Sequence, residues 1–353
     1  MLAVSTKKDI RALSLNDLKV WMDEQGEKSF RAKQIYEWLW QKSARSFDEM
    51  TNLSKPLRDK LAAHFDVKAI QVEDKQVSSD RTIKSAFKLF DGNVVEGVLI
   101  PTDNRMTACI SSQVGCSLSC KFCATGKLKR MRNLDPAEIY DQVVEIKKQS
   151  EGHYDIPLSN IVYMGMGEPL LNYKGLIGSV EKITSPEGLG MSPKRITVST
   201  AGIARQIKRL ADDEVRFNLA LSLHAANDEK RSKIMPINDS NSLAALAEAL
   251  QYFYQKTKNS ITFEYIIFRD FNDEIEDAKE LVAFCKKVPA KVNIIEYNPI
   301  DEGEFQRASI EKVDAFAAYL ESQRVGVTIR RSRGKDIDAA CGQLANKNKA
   351  VKK

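Results

Sequence analysis

Three of the six cysteines fall in one short segment, Gly115-Cys-Ser-Leu-Ser-Cys-Lys-Phe-Cys-Ala-Thr-Gly126. Thiolates are the usual ligands of iron–sulfur clusters. A 4Fe–4S cubane needs four ligands, and Cys116, Cys120 and Cys123 offer three from a single C-x3-C-x2-C loop. The fourth iron is then open to a small molecule. Glycines at both ends let the chain wrap closely. A ferredoxin-type site needs a fourth nearby cysteine, and none follows before Cys285. A zinc site needs a fourth Cys or His; His153 and His224 are available, but no paired knuckle accompanies them. Buried structural cysteines do not suit a polar, glycine-bounded loop. The spacing therefore predicts a cluster with one open iron. Of the other cysteines, Cys109 precedes the triad by seven residues in an apolar, strand-like stretch, where a small buried hydrophobe is the ordinary reading. Cys285 fits an apolar stripe, Leu281-Val-Ala-Phe-Cys, and belongs to a core. Cys341 fits no such stripe; it lies in the polar segment Arg333-Gly-Lys-Asp-Ile-Asp-Ala-Ala-Cys-Gly-Gln-Leu344.

The elements that must position these residues follow from periodicity. Residues 9 to about 66 carry helical spacing in Leu15-Asn-Asp-Leu-Lys-Val-Trp-Met and Ser29-Phe-Arg-Ala-Lys-Gln-Ile-Tyr-Glu-Trp-Leu-Trp, with Pro56 in the first turn of a third helix. Trp21, Tyr36, Trp38 and Trp40 are expected in the core of this module. Residues 67–101 switch to β alternation around an Asp91-Gly92 turn. From Thr107 strands alternate with helices: Thr107–Val114, Asn160–Met164, Arg195–Ser199, Phe217–Leu223, Ile261–Phe268, Val292–Tyr297 and Val327–Arg330. Asp135, Pro136 and Glu138 form a helix-start pattern between the first two. Such alternation implies parallel strands covered by helices. The expected fold is α/β, a partial (β/α)6-type barrel, with a small N-terminal helical accessory domain and a short β extension. The expected boundaries are 1–66 (helical), 67–101 (β extension), 102–340 (barrel) and 341–353 (a loop carrying Cys341 and a basic tail), with disorder expected from Asn346 on.

Chemistry in such folds gathers at the C-terminal ends of the strands. Here those ends carry the cysteine triad, Gly165-Met-Gly-Glu-Pro169, Ser199-Thr-Ala-Gly202, Ser222-Leu-His224 and Tyr297-Asn-Pro299. Composition adds limits. The chain has 353 residues, 43% hydrophobic and 29% charged, which suits a globular protein and no fibrous or disordered class. No run approaches the ~18 apolar residues of a membrane span. The first residues lack an apolar signal core. A soluble cytoplasmic protein is expected, where reduced thiols argue against structural disulfides. The net charge of +6 is mild, but basic residues cluster in Lys127–Arg132 and Arg330–Lys335, which suits phosphate binding beside the chemistry as well as it suits a solvated face.

C-x3-C-x2-C after the first strand resembles the signature of the radical S-adenosylmethionine (SAM) superfamily. That resemblance implies an open iron that chelates SAM's amino and carboxylate groups. One electron then cleaves SAM to a 5′-deoxyadenosyl radical, which the protein must orient and shield. Gly165-Met-Gly-Glu-Pro169 is similar to that superfamily's "GGEP" segment, with Gly167 allowing close approach and Glu168 pairing with a cationic amino group. Ser199, Ser222, Leu223, His224 and Asn298 resemble its remaining SAM contacts.

Over nearly its whole length the chain further resembles the RlmN/Cfr family of RNA methyltransferases. The matching segments are Phe30-Arg-Ala-Lys-Gln-Ile-Tyr-Glu-Trp-Leu, Val95-Glu-Gly-Val-Leu-Ile-Pro101, the triad, Gly165–Asn172, Val198–Gly202, Ser222–Ala225, Glu296–Pro299 and Asp338–Gln343. The resemblance implies that Cys341 takes a methyl from a first SAM, and nearby Arg330, Arg331, Arg333 and Lys335 are expected to favour its thiolate. A second SAM supplies the radical, the methylated Cys341 loses a hydrogen and adds to C2 of adenine, and Cys109 helps release the covalent RNA intermediate, leaving a transient Cys109–Cys341 disulfide. Glu96 matches a proton acceptor, though a solvated strand glutamate is an equal reading. Implied substrates are an unstacked adenosine in the peptidyl-transferase region of 23S rRNA and one beside the tRNA anticodon. An electron donor such as flavodoxin and a monomeric state are also implied. The rivals are a Cfr-like enzyme acting on C8, a radical SAM activase or maturase acting on protein, and a non-enzymatic iron–sulfur carrier or RNA-binding module.

Overall fold

The computed structural model describes residues 7–103 and 105–347. Its helices are α1 Leu15–Glu24, α2 Phe30–Trp40, α3 Lys55–His64, α4 Pro136–Tyr154, α5 Tyr173–Thr184, α6 Ala204–Asp212, α7 Asp228–Ile234, α8 Leu243–Thr257, α9 Ile275–Cys285 and α10 Ile310–Ser322. Its sheet strands are β1 Gln71–Val77, β2 Ile83–Lys88, β3 Val94–Thr102, β4 Arg105–Cys109, β5 Asn160–Tyr163, β6 Ile196–Thr200, β7 Asn218–Ser222, β8 Ile261–Ile267, β9 Ala290–Glu296 and β10 Val327–Arg330.

The helical module forms for local reasons. Ser14 and Asp17 cap α1 reciprocally, and Pro56 occupies the first turn of α3. Leu18, Met22, Ile35, Leu39 and Leu61 turn inward and are buried. Trp40 and Tyr36 are buried as expected, whereas Trp21 and Trp38 pack against the core only in part. The module is fastened to α4 by a charge-assisted fork from Arg11 to both oxygens of Asp141, at 2.7 and 2.8 Å. Trp40 and Tyr140 meet edge to face there, ring centres 5.1 Å apart.

One sheet of ten strands runs in spatial order β10-β9-β8-β7-β6-β5-β4-β3-β2-β1. Pairing is parallel from β4 through β10 and antiparallel from β1 to β4. The β extension is therefore continuous with the parallel strands: Val98 of β3 is in register with Cys109 of β4. Central strands are apolar on both faces, Leu219, Ala220 and Leu221 of β7 being fully buried, as parallel strands beneath helices require. The edge strand β1 is mostly exposed and carries Glu73, Asp74 and Lys75, charges that discourage pairing with another chain.

Two expectations need correction. The first barrel strand does not run to Val114; β4 ends at Cys109, because the Gln142 side chain on α4 takes both the N–H and the C=O of Ser111 and draws the chain off the ladder. The tail is not loose from Asn346. Asn346 Nδ2 donates to Val94 O at 2.8 Å and Lys347 bridges Asp301 and Asp338. Residues 348–353 of the expected disordered tail lie outside the described residues.

The edge strands β1 and β10 do not pair with each other. The chain after β10 crosses to the β1–β2 turn instead. Gly334 N donates to Asp80 at 2.8 Å, Ser78 Oγ to Asp336 at 2.5 Å, and Ser79 N to Asp336 at 3.0 Å. Cys341 follows on that crossing segment.

Candidate active site

The triad loop leaves β4, forms a short ribbon in which Gln113–Val114 pairs with Arg132–Asn133, and returns toward α4. Gly115 holds φ +73°, and a Cβ there would sit 2.3 Å from Lys129 O, so only glycine lets the loop close on itself. α4 begins where expected: Glu138 accepts from Asp135 N at 2.9 Å and is gripped by both terminal nitrogens of Arg132.

Cys116, Cys120 and Cys123 line one cavity of about 160 Å³ together with Gly167, Glu168, Ser199, Ser222, His224 and Cys341. The ends of β5, β6 and β7 thus converge on the triad, whereas the Tyr297–Pro299 end does not line this cavity. All three triad thiols are pushed up by burial; Cys116, at about 11, and Cys120 also repel neighbouring thiolates. A ligating cation would reverse that balance. No three His, Cys, Asp or Glu side chains among the described residues converge on a single ion-sized point. A cubane asks for something else, since each thiolate binds a different iron at a different corner. Thiols arranged around a cavity wall fit that group.

In the same cavity, Glu168 accepts from Leu170 N at 3.0 Å and Ala201 N at 2.7 Å. Burial raises its pKa while those bonds lower it, which suits a carboxylate that awaits a cationic partner. Gly167, at φ +93°, lies so close to Gln113 that a Cβ would come within 2.5 Å of that side chain. Ser199 and Ser222 on adjacent strands bring their hydroxyls to 3.4 Å. His224 sits at φ +55°, a sparsely populated conformation for a non-glycine residue. Its Nδ1 accepts from Ile266 N at 3.1 Å, so the neutral ring carries its proton on Nε2. Burial, then Arg231, depress its pKa to about 3, so it is a neutral hydrogen-bond donor at ordinary pH. Leu223 and Asn298 are buried but do not line this cavity. Asn298 Nδ2 instead donates to Cys341 O at 3.3 Å, with its buried Oδ1 unpartnered.

A second cavity, about 110 Å³, is lined by Cys109, Ile100, Arg330 and Arg333, and again by Cys341. Cys341 thus stands in the wall between the two. Its segment is strapped to the triad loop by Ala124 N donating to Gly342 O (2.7 Å) and Thr125 Oγ1 to Leu344 O (2.6 Å). Burial and Cys341 raise the Cys109 thiol to about 12. Cys341 keeps solvent access through the cavities it lines, yet surrounding protein raises its thiol too, burial outweighing Arg330. The expectation of a broadly cationic surrounding is corrected here: Arg331 and Lys335 pair with Glu296, and Arg333 donates to Asp80 O. In the other basic run, Arg132 pairs with Asp91 and Glu138, and Lys127 donates to Asp301 O and Glu302 O.

Glu96 is no solvated strand residue. It is fully buried in β3, with Lys84 Nζ 3.5 Å away. One carboxylate oxygen accepts from Ala345 N (2.9 Å) and Asn346 N (3.0 Å), holding the end of the Cys341 segment. Two site residues escaped the sequence reading. Glu264, in the middle of β8, lines the first cavity with Oε2 3.6 Å from Arg330 Nη1; a carboxylate inside Ile261-Thr-Phe-Glu-Tyr-Ile-Ile267 was its signal. Arg231 is wholly buried on α7 and stays cationic, though burial lowers its pKa to about 10.

Residues 8–67 match the family model described as the ribosomal RNA large subunit methyltransferase N-terminal domain, and residues 110–282 match that of the radical SAM superfamily. The chain is 61% identical, over 97% of both chains, to a protein of Christiangramia forsetii described as a probable dual-specificity RNA methyltransferase RlmN. It is 44% identical, over 98% of this chain and 99% of the other, to the dual-specificity RNA methyltransferase RlmN of Geotalea uraniireducens. Its fold is similar to the crystal structure of a radical SAM methyltransferase from Sphaerobacter thermophilus, with TM-score 0.90 and 37% identity over 96% of this chain and 99% of that one. Sequence, fold and strand-end chemistry agree: the chain belongs to the RlmN family of radical SAM RNA methyltransferases.

Proposed function

We propose that this enzyme methylates C2 of adenosine in 23S rRNA and in tRNA, using its own Cys341 as the methyl carrier. The observation that carries the reading is the position of Cys341 in the wall common to two cavities, one lined by the triad and the other by Cys109. Cys116, Cys120 and Cys123 would hold a 4Fe–4S cluster. Glu168, Gly167, Ser199, Ser222 and His224 would surround SAM, with Asn298 fixing the Cys341 backbone. When bound, that pair supplies a methyl group and a hydrogen-abstracting radical.

As a thiolate, Cys341 would take the methyl on sulfur from a first SAM, whose sulfonium–methyl bond breaks, and a second SAM would supply the radical. A carrier is chemically necessary because C2 of adenine is electrophilic and does not attack a methyl sulfonium as a ring nitrogen would. Arg330, itself 3.6 Å from Glu264, is the cation that acts on both thiols and favours the Cys341 thiolate. His224, being neutral, orients through Nε2–H and moves no proton at neutral pH. Cys109, in the second cavity, is the partner for resolving a Cys341–RNA adduct through a Cys109–Cys341 disulfide. Glu96 is the proton acceptor that the resemblance implies. It is buried against Lys84, so it reaches substrate only if the 345–346 backbone lets go of it. A low-potential donor such as flavodoxin, a monomer, and a cytoplasmic setting complete the proposal.

The test is mass spectrometry of Cys341 and of the RNA. Chain isolated anaerobically should carry a methyl group on Cys341, and modified RNA should yield 2-methyladenosine. Formation of 8-methyladenosine would move the reading to the C8 rival. Full turnover by Cys341→Ala would favour an activase acting on protein, and absence of SAM cleavage would favour a non-enzymatic module.

A further inference from the structure

Arg231 has no part in the mechanism above, yet it is among the largest fully buried side chains. Buried guanidinium groups ordinarily face carboxylates, because an uncompensated buried charge is costly. Arg231 faces none. Its nitrogens donate to four neutral oxygens: Ala201 O at 2.6 Å, Asn238 Oδ1 at 2.8 Å, and Leu223 O and Ser222 O at 3.1 Å each. Among the described residues no ion pair includes it. Asp228, on the same helix, acts on it electrostatically but is engaged by Asn238 Nδ2 and Leu243 N.

The group that approaches this charge is the triad loop. Lys121 N donates to Ile234 O at 3.0 Å, seating the loop on the end of α7 one turn beyond Arg231. Cys120 packs against the same apolar cluster that contains Ile234 and Met235. Three thiolates outweigh the charge of an oxidised cubane core by one, and one-electron reduction adds a second negative charge. We infer that Arg231 is the built-in counter-charge of the cluster, making its reduction easier while clamping the ends of β6 and β7 that carry Ala201 and Ser222. It is a positioning and potential-setting residue and touches no substrate. Net charge and nearby donors are among the factors that set cluster potentials.

This inference rests on the proposed cluster, and one experiment separates the two. The full chain is reconstituted with iron and sulfide anaerobically, and the cluster signal is followed by electron paramagnetic resonance during a redox titration, without substrate. In Arg231→Gln the reduction equilibrium should shift at least tenfold toward the oxidised form, which is 59 mV for a one-electron couple. Arg231→Lys keeps the charge without the fork and should stay close to wild type. An unchanged potential in Arg231→Gln overturns the inference. If Arg231→Gln takes up no cluster, Arg231→Lys decides: a loaded cluster at the wild-type potential supports a need for charge, and failure like that of the glutamine variant leaves only a structural clamp and overturns it. A wild-type chain that binds no iron refutes the cluster itself, and this inference with it.

Discussion

Replacing Glu96 with Gln should cost the enzyme stability before any question of proton transfer arises. Glu96 and Lys84 are 3.5 Å apart, with side chains 0% and 3% exposed. At an effective dielectric constant of about 20 their attraction is roughly 5 kcal/mol. Removing one member of a buried pair costs about 3–5 kcal/mol, because the other charge is left without compensation. The substitution also turns an acceptor of two backbone N–H bonds, from Ala345 and Asn346, into a side chain whose amide nitrogen must face one of them or Lys84. The expected loss is therefore about 3–5 kcal/mol in urea unfolding, with faster hydrogen exchange at Ala345 and Asn346 ahead of global unfolding. Lys84→Met should cost a similar amount. The double variant Lys84→Met/Glu96→Gln should recover part of the loss, a coupling of about 1–3 kcal/mol. Glu96→Gln within about 1 kcal/mol of wild type, with exchange at those two amides unchanged, would refute the idea that this carboxylate fastens the Cys341 segment.

Cys341→Ala should abolish methyl incorporation into protein and RNA while the cluster still loads, read by iron content and nucleoside mass spectrometry. Gly167→Ala should weaken SAM binding at least tenfold in equilibrium dialysis, because its Cβ would overlap Gln113 at 2.5 Å and push the Glu168 wall into the cavity. His224 has a folded pKa near 3, below its ordinary 6.5. The unfolded chain therefore takes up this proton first, and stability present above about pH 6.5 is lost as pH falls toward 3, at up to about 1.4 kcal/mol per pH unit. His224→Gln should flatten that acid slope by one proton, measured from urea midpoints between pH 7 and 4.5.

The parallel strands and their ends were legible because their information is local. Apolar runs such as Leu219–Leu221 mark buried strands, and polar residues such as Ser222 and His224 stand out where the runs stop. The triad was legible for the same reason, three ligands lying within eight residues of one another. What escaped depends on contacts distant in sequence. Arg231 lies in Asp228-Glu-Lys-Arg-Ser-Lys, a stretch that looks solvated, and only packing of α7 against β6 and β7 buries it. Glu96 stayed open between a proton acceptor and a solvated strand glutamate because its partners, Ala345 and Asn346, come from the opposite end of the chain. Arg331 and Lys335 looked like thiolate-stabilising cations until β9 supplied Glu296. The early end of β4 was likewise hidden, since no β pattern announces that Gln142 will take the amide groups of Ser111.

The stretch from Gly334 to Asn346 closes a circuit. Ladder pairing runs from β1 to β10, and this stretch returns from β10 to Asp80, Ser78 and Glu96 near the starting edge. The separation of the two edge strands and the position of Cys341 are therefore coupled: whatever spreads that seam also displaces Cys341. A break between Asp338 and Cys341 would part the Cys341 loop from β10, while Ala124, Thr125 and Glu96 would still hold that loop to the triad and to β3.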